Sequence, residues 1–220
     1  MLYTTLKNNA FFLLPYLISL LILAPVLLIF SKPEIHLWIN QFNSPFSDWI
    51  FKHLTFLGDG IFIILPALVL LFFSLRHFTF LIVAYFSTGL FTQVLKRVFF
   101  EDVVRPSRFF QDLSYLHLVD GVKMLSGRSF PSGHATSAFA LFLCLALIST
   151  NRYFKLTCFF LAALVAFSRV YLSQHFLIDI YTGSIIGSLG TLAFYQAFYQ
   201  NNRKWHAWTP KKLLQHDVKA

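Results

Sequence analysis

Six stretches of this chain carry almost unbroken hydrocarbon side chains: residues 11–30, 54–75, 78–95, 134–150, 154–172 and 176–198. Each approaches the ~20 residues that an α-helix needs to cross the hydrocarbon core of a bilayer. Hydrocarbon offers the backbone no hydrogen bonds, so a run of that length must satisfy its own amide groups as a helix. The expected fold is therefore all-α, a polytopic membrane bundle of six transmembrane helices. Composition agrees, with 57% of residues hydrophobic and only 12% charged, where soluble domains average roughly a quarter charged. Pro15, Pro25 and Pro66 fall within the first two runs, where neighbouring helices can re-satisfy the backbone. The first run is longer than the core of a cleavable signal and is preceded only by Lys7, so it is expected to stay as a helix.

The remaining totals exclude several classes. A net charge of +9 does not point to nucleic acid here, because basic residues flanking apolar spans set topology or meet anionic headgroups. Cys144 and Cys158 both lie inside apolar runs, where they serve as small core residues and provide no disulfide framework or metal site. No Pro/Gly/Ser linker or repeat divides the chain, so residues 1–220 read as a single domain. Trp38, Phe42, Phe46 and Trp49, in the connection 31–53, are spaced like an amphipathic segment lying at the membrane surface. Gly183, Gly187 and Gly190, with Ser184 and Ser188, suit close helix packing in the last span. Residues 201–220, with Trp205 and Trp208 among basic residues, read as a basic tail anchored at the cytoplasmic surface.

Against this background the stretch from Ser168 to Asp179 stands apart, because it places Arg169, His175 and Asp179 in otherwise apolar sequence. Ionisable residues at membrane depth point to function. If the chain is helical from Phe176, His175 and Asp179 stack on one face, four residues apart. A carboxylate can then hold one imidazole N–H and leave the other nitrogen free to attack or to take a proton. Arg169 offers a planar fork suited to phosphate oxygens. The alternative is a buried Arg–Asp pair with a capping histidine.

A second cluster, Gly127-Arg128-Ser129-Phe130-Pro131-Ser132-Gly133-His134, opens the fourth run. Pro, Ser and Gly are helix-start signals, and the N–H groups of a helix N-terminus favour an anion. Ser132 can add a hydroxyl, Gly133 a close backbone approach and His134 a proton. The long connection 96–131 contributes Lys96, Arg97, Arg105 and Arg108 beside Phe99, Phe100, Phe109 and Phe110, a composition suited to the headgroup level. Helix parity then matters. The third run ends and the fourth begins on the same membrane face as the end of the fifth and the start of the sixth. Lys96, Arg105, His134, Arg169, His175 and Asp179 can converge there. The 18 Lys and Arg residues split evenly between the two faces. Setting aside Lys96, Arg105 and Arg169 as site residues tips the balance, leaving both termini cytoplasmic and the site facing outward.

Together these stretches resemble the type-2 phosphatidic acid phosphatase superfamily. Its pattern is Lys…Arg-Pro, then Pro-Ser-Gly-His, then Ser-Arg and a His followed by Asp four residues on. The second and third motifs match at residues 131–134 and 168–179, and the resemblance covers a core of about 96–179. The first motif departs, since the eight residues between Lys96 and Arg105 exceed the family's usual spacing. Arg97 is the rival candidate for the lysine's place. The resemblance implies a lipid phosphatase with Lys96, Arg105, Arg169, Ser132 and Gly133 around the phosphate. It implies His175 as nucleophile, Asp179 as its orienting carboxylate and His134 as the proton donor to the leaving oxygen.

Three cations at a phosphate can do without a metal, and the chain offers no carboxylate cluster to hold one, so neither metal nor cofactor is expected. The implied partners are a lipid phosphate substrate and the bilayer, with no obligate protein partner evident. The implied location is a bacterial inner membrane with the active site facing the periplasm or exterior. Lipid A, phosphatidylglycerophosphate, undecaprenyl diphosphate and phosphatidic acid all fit the family. A catalytically silent lipid-binding or transport protein and a vanadate-dependent peroxidase are the rival classes. Asp59, within Gly58-Asp59-Gly60, is left as an unassigned polar group that can cap a helix. His36, His53, His77, His117, His206 and His216 receive no chemistry.

Overall fold

A computed structural model describes residues 2–199, and all regular structure among the described residues is helical. In chain order the α-helices are α1 (Leu2–Asn8), α2 (Ala10–Ile29), α3 (Lys32–Asn40), α4 (Pro45–Leu54), α5 (Ile64–Phe73), α6 (Leu75–Val94), α7 (Pro106–Phe109), α8 (Gly133–Ile148), α9 (Arg152–Tyr171) and α10 (Leu177–Tyr199). The tail 201–220, read above as a surface anchor, lies outside the described residues.

Four of the six apolar runs become helices long and apolar enough to cross a membrane: α2, α9, α10 and the continuous unit Leu75–Phe99, in which α6 runs into a π-helical turn. The fourth run forms the 16-residue α8. The second run differs from expectation. Instead of one helix over 54–75, it yields the end of α4, a 3₁₀ turn Thr55–Gly58, an irregular turn, and only then the 10-residue α5. At 1.5 Å per residue α5 is about 15 Å long, half the ~30 Å of a hydrocarbon core. The break falls at Gly58-Asp59-Gly60, where glycine disfavours helix and an Asp side chain competes for backbone donors. Multiple membrane passes stand, with four helices of spanning length.

Helix α8 is the hub, buried along nearly its whole length and packed against α6, α9 and α10. By contrast α2 is apolar all round but buries only Phe12 and Tyr16, leaving Leu14, Leu21 and Leu28 outward as a lipid-facing helix does. The small residues of α10 do what their spacing suggests. A Cβ at Gly183 or Gly187 would lie 2.5 Å from the Ser132 or Thr136 carbonyl oxygen, so α10 and α8 touch backbone to backbone.

Helices α3 and α4 each start with a serine cap and an early proline: Ser31 forms a capping box with Glu34, and the Ser44 hydroxyl accepts from the Ser47 N–H at 3.1 Å. Trp38, Phe42, Phe46 and Trp49 are all exposed, as an interfacial segment requires. The connection after residue 99 is closed at its base by hydrogen bonds between its own two ends. Arg105 N–H donates to Ser126 O at 3.0 Å and Ser129 N–H to Val103 O at 2.7 Å. Farther out, Asn40 exchanges two hydrogen bonds with the His117 backbone, and the His117 ring meets Asp48 at 2.9 Å. His117 is thus a loop tether.

Candidate active site

Two helix boundaries assemble the site. The α9–α10 turn is made by Ser173 in the left-handed region (φ 53), and the His175 N–H returns to the Arg169 carbonyl at 3.0 Å. This holds His175 just ahead of α10, whose first turn carries Asp179. The Asp179 Oδ2 accepts from the Phe176 N–H at 3.0 Å, from the Ser129 hydroxyl, and lies 3.1 Å from His175 Nδ1. Both side chains are almost fully buried. The second boundary is the start of α8, where Ser132 is the N-cap and its own N–H donates to the Asp179 carbonyl at 2.9 Å.

With Nδ1 engaged, His175 presents Nε2, which lies 3.2 Å from Arg105 Nη1. Burial, then the charges of Arg105, Lys96 and Arg169, pull the His175 pKa well below 6.5, so the ring is neutral near pH 7 and its Nε2 carries a lone pair. Arg105 is itself held by the Gly127 and Gln174 carbonyls, each at 2.9 Å. Arg169 Nη1 donates to the Thr55 hydroxyl at 2.7 Å, and its Nε is buried without a partner.

These groups surround a cavity of about 410 Å³ lined by Gln93, Lys96, Arg97, Arg105, Leu125–Arg128, Gly133, His134, Arg169 and His175. Lys96, Arg105, Gly133, His134, Arg169 and His175 are therefore brought together, with Asp179 directly behind His175. Ser132 is fully buried and spends its hydroxyl on the Ala135 N–H, so it stands behind Gly133 rather than on the cavity wall. At the first motif both candidates line the cavity, Lys96 as a buried side chain and Arg97 as an exposed one. The π-helical turn Leu95–Phe99 and the turn after it take up the longer spacing.

A second, apolar space of about 1010 Å³ lies among α2, α3, α9 and α10 and is lined by residues such as Leu20, Val26, Trp38, Phe139 and Phe167. Among the described residues no Lys, Arg or His lines it and Glu34 is its one charged side chain, so it suits hydrocarbon, and the smaller cationic cavity is the place for an anion. Among the described residues no group of three or more His, Cys, Asp or Glu side chains is placed to hold a metal.

Three polar partners were not assigned from sequence. Ser129 donates to Asp179, Thr55 supports Arg169, and Asp59 Oδ1 lies 2.7 Å from His134 Nε2. The readable signal for Asp59 was a carboxylate interrupting an apolar run. Its pKa is pulled below the usual carboxylate value, first by the hydrogen bond from His134 and then, against some burial, by the charges of His134 and Arg169.

A helical membrane bundle that gathers five cationic side chains, two histidines and a buried carboxylate at one cavity defines the class: a membrane phosphatase. The PAP2 superfamily model matches residues 77–203. The lipid A 4'-phosphatases of Porphyromonas gingivalis and Bacteroides thetaiotaomicron are similar to it. The first is 25% identical, spanning 78% of this chain and 75% of its own length. The second is 26% identical, spanning 80% and 81%. Among solved structures, LpxE of Aquifex aeolicus superposes with a TM-score of 0.66 at 27% identity, covering 74% of this chain and 93% of that one. The PAP2-type phosphatidylglycerolphosphate phosphatase of Bacillus subtilis shares the fold, with a TM-score of 0.63 at 23% identity, covering 90% and 99%. The chain belongs to the PAP2 superfamily and is a membrane lipid phosphatase of that type.

Proposed function

We propose that this phosphatase removes a phosphate group from a lipid A-type glycolipid, working at the outward face of a bacterial inner membrane. The observation that carries the chemistry is the buried His175–Asp179 dyad, whose Nε2 meets Arg105 Nη1 at 3.2 Å at a cavity lined by Lys96, Arg105 and Arg169. The substrate choice is supported by the two relatives named lipid A 4'-phosphatase, which align over three quarters or more of both chains. The outward orientation is supported by the Lys and Arg balance, with the chain acting as one domain of six apolar segments.

In this reading the phosphate enters between Arg105, Arg169 and Lys96, with the Gly133 N–H at the α8 N-terminus as a further donor and Ser132 holding that terminus in place. Arg105 then turns from His175 Nε2 to a phosphate oxygen. Nε2 attacks phosphorus in line, a P–N bond forms, and the P–O bond to the lipid breaks. His134 gives its proton to the departing oxygen. Water next attacks the phosphohistidine, His134 takes a proton from that water, and the P–N bond breaks to release inorganic phosphate. Asp179, braced by Ser129 and the Phe176 N–H, keeps the His175 proton on Nδ1 throughout.

The test is phosphate release by the detergent-solubilised protein in EDTA, from lipid A, phosphatidylglycerophosphate, undecaprenyl diphosphate and phosphatidic acid in parallel. Lipid A should be hydrolysed at least about tenfold faster than the others, and a His175→Ala variant should release none. A preference for another lipid would overturn the substrate assignment. Equal release by the variant would overturn the nucleophile.

A further inference from the structure

The turn between α4 and α5 approaches the site from outside the three motifs and reaches it twice. Thr55 accepts from Arg169 at 2.7 Å, and four residues on Asp59 meets His134 Nε2 at 2.7 Å. Packing sets this position closely. A Cβ at Gly58 would lie 2.7 Å from a Val165 methyl on α9 and 3.4 Å from both the ring and the carbonyl of His134 on α8. Only a residue without a side chain lets the backbone come that near, so Gly58 fixes where the Asp59 carboxylate points. The Asp59 N–H closes the turn on Phe56 O at 3.1 Å, and its carbonyl accepts from the Phe62 N–H at 3.0 Å.

A stabilising ion pair is a poor account of the contact. Both side chains are partly open to solvent, at 29% and 39%, and solvent screening leaves such pairs little net stabilisation. The charges that act on His134 give a better one. Burial first, then Arg169 from α9 and Arg105 from the long loop, disfavour a protonated ring, and Asp59 opposes them through its hydrogen bond and its charge. The site therefore contains two His–carboxylate pairs of opposite sense. Asp179 takes the Nδ1 side of His175 and leaves Nε2 to Arg105 at 3.2 Å, whereas Asp59 takes the Nε2 side of His134 and leaves Nδ1 as the ring's other nitrogen.

We propose that Asp59 is the positioning residue of the acid: it holds the His134 Nε2–H, so that the proton passed to the leaving oxygen is the one on Nδ1. The inference rests on the reading of His134 as proton donor. As the P–O bond breaks, the Nδ1–H proton moves to the alkoxide oxygen and the ring becomes neutral. In the second step Nδ1 accepts the proton of the attacking water, and Asp59 remains a carboxylate in both. The role is worth most where the leaving group is a poor one, an alkoxide, and least where it is a stabilised phenolate.

The experiment compares dodecyl phosphate with p-nitrophenyl phosphate for the full-length protein and for Asp59→Asn, Asp59→Glu and His134→Ala. Asp59→Asn should lower the ratio of kcat/KM on dodecyl phosphate to that on p-nitrophenyl phosphate about 10–100-fold, a share of the about 10²–10⁴ attributed to general acids. Its alkaline limb on dodecyl phosphate should move to lower pH, because losing the anion releases the His134 proton sooner. Asp59→Glu should recover part of the ratio. His134→Ala should show the same discrimination, enlarged. Equal losses on both substrates for Asp59→Asn, with discrimination intact in His134→Ala, would overturn the role of Asp59 alone. Equal losses in His134→Ala would overturn the acid assignment beneath it.

Discussion

In the proposed mechanism His175 must keep a lone pair on Nε2 and a proton on Nδ1, and its neighbours enforce both. Burial and three cations keep the ring neutral, while Asp179 fixes the tautomer. The cations are not equivalent. Both first-motif candidates line the cavity, but Lys96 is buried and Arg97 is exposed. A charge-assisted hydrogen bond to phosphate is worth roughly 1.5–3 kcal/mol, so Lys96→Ala should lower kcat/KM about 10–100-fold, and Arg97→Ala by less than about threefold. Steady-state kinetics on one lipid phosphate checks this, and the reverse order would give the first-motif role to Arg97. At this scale the sequence was informative wherever a residue type was out of place in hydrocarbon, as Arg169, His175 and Asp179 are. It was silent on Ser129 and Thr55, because a serine or threonine in such a chain carries no mark of which distant side chain it will meet.

The elements matter through how closely they approach. The Asp179 carbonyl accepts from the Ser132 N–H, and Gly183, one turn on, lies against the Ser132 carbonyl. Helices α10 and α8, which carry Asp179 and His134, are thus registered by backbone contacts. Gly183→Ala inserts a methyl where 2.5 Å is available. Overpacking of this kind typically costs about 1–3 kcal/mol, and here it also parts the two halves of the site. The variant should unfold at lower temperature in detergent and lose more than about tenfold in kcat, whereas Gly60→Ala, with nothing within 4 Å of its added Cβ, should not reproduce this. Native-like activity in Gly183→Ala would contradict the register argument. The glycine spacing of the last span was readable as close packing, although its partner was not. The break in the second run was less visible, since hydropathy averages over Gly58-Asp59-Gly60 and a window sees one long apolar segment.

For the whole molecule, the convergence of residues from 96 to 179 followed from helix parity, which needs only the count of crossings between motifs. The ordered outer loop did not, because its tethers join residues far apart in sequence, such as Asn40 with His117 and Asp48 with Tyr171. The folded molecule also carries a pH signature. His36, buried in α3, is pushed down to about 4 from 6.5 by burial, and His175 is held well below 6.5. Between about pH 4 and 6.5 the unfolded chain therefore binds protons that the folded chain refuses, and stability falls as pH falls through that window. For His36 alone the full effect is about 3 kcal/mol. The unfolding midpoint in detergent should be level above pH 6.5 and drop below it, less steeply in His36→Gln; a midpoint that rises on acidification would contradict this burial. The central claim is that phosphate passes through His175, and rapid quenching with ³²P-labelled lipid phosphate tests it most directly. The account predicts an acid-labile, base-stable label on the protein that maps to His175 and disappears in His175→Ala. Turnover without any labelled protein, or a label on another residue, would contradict it.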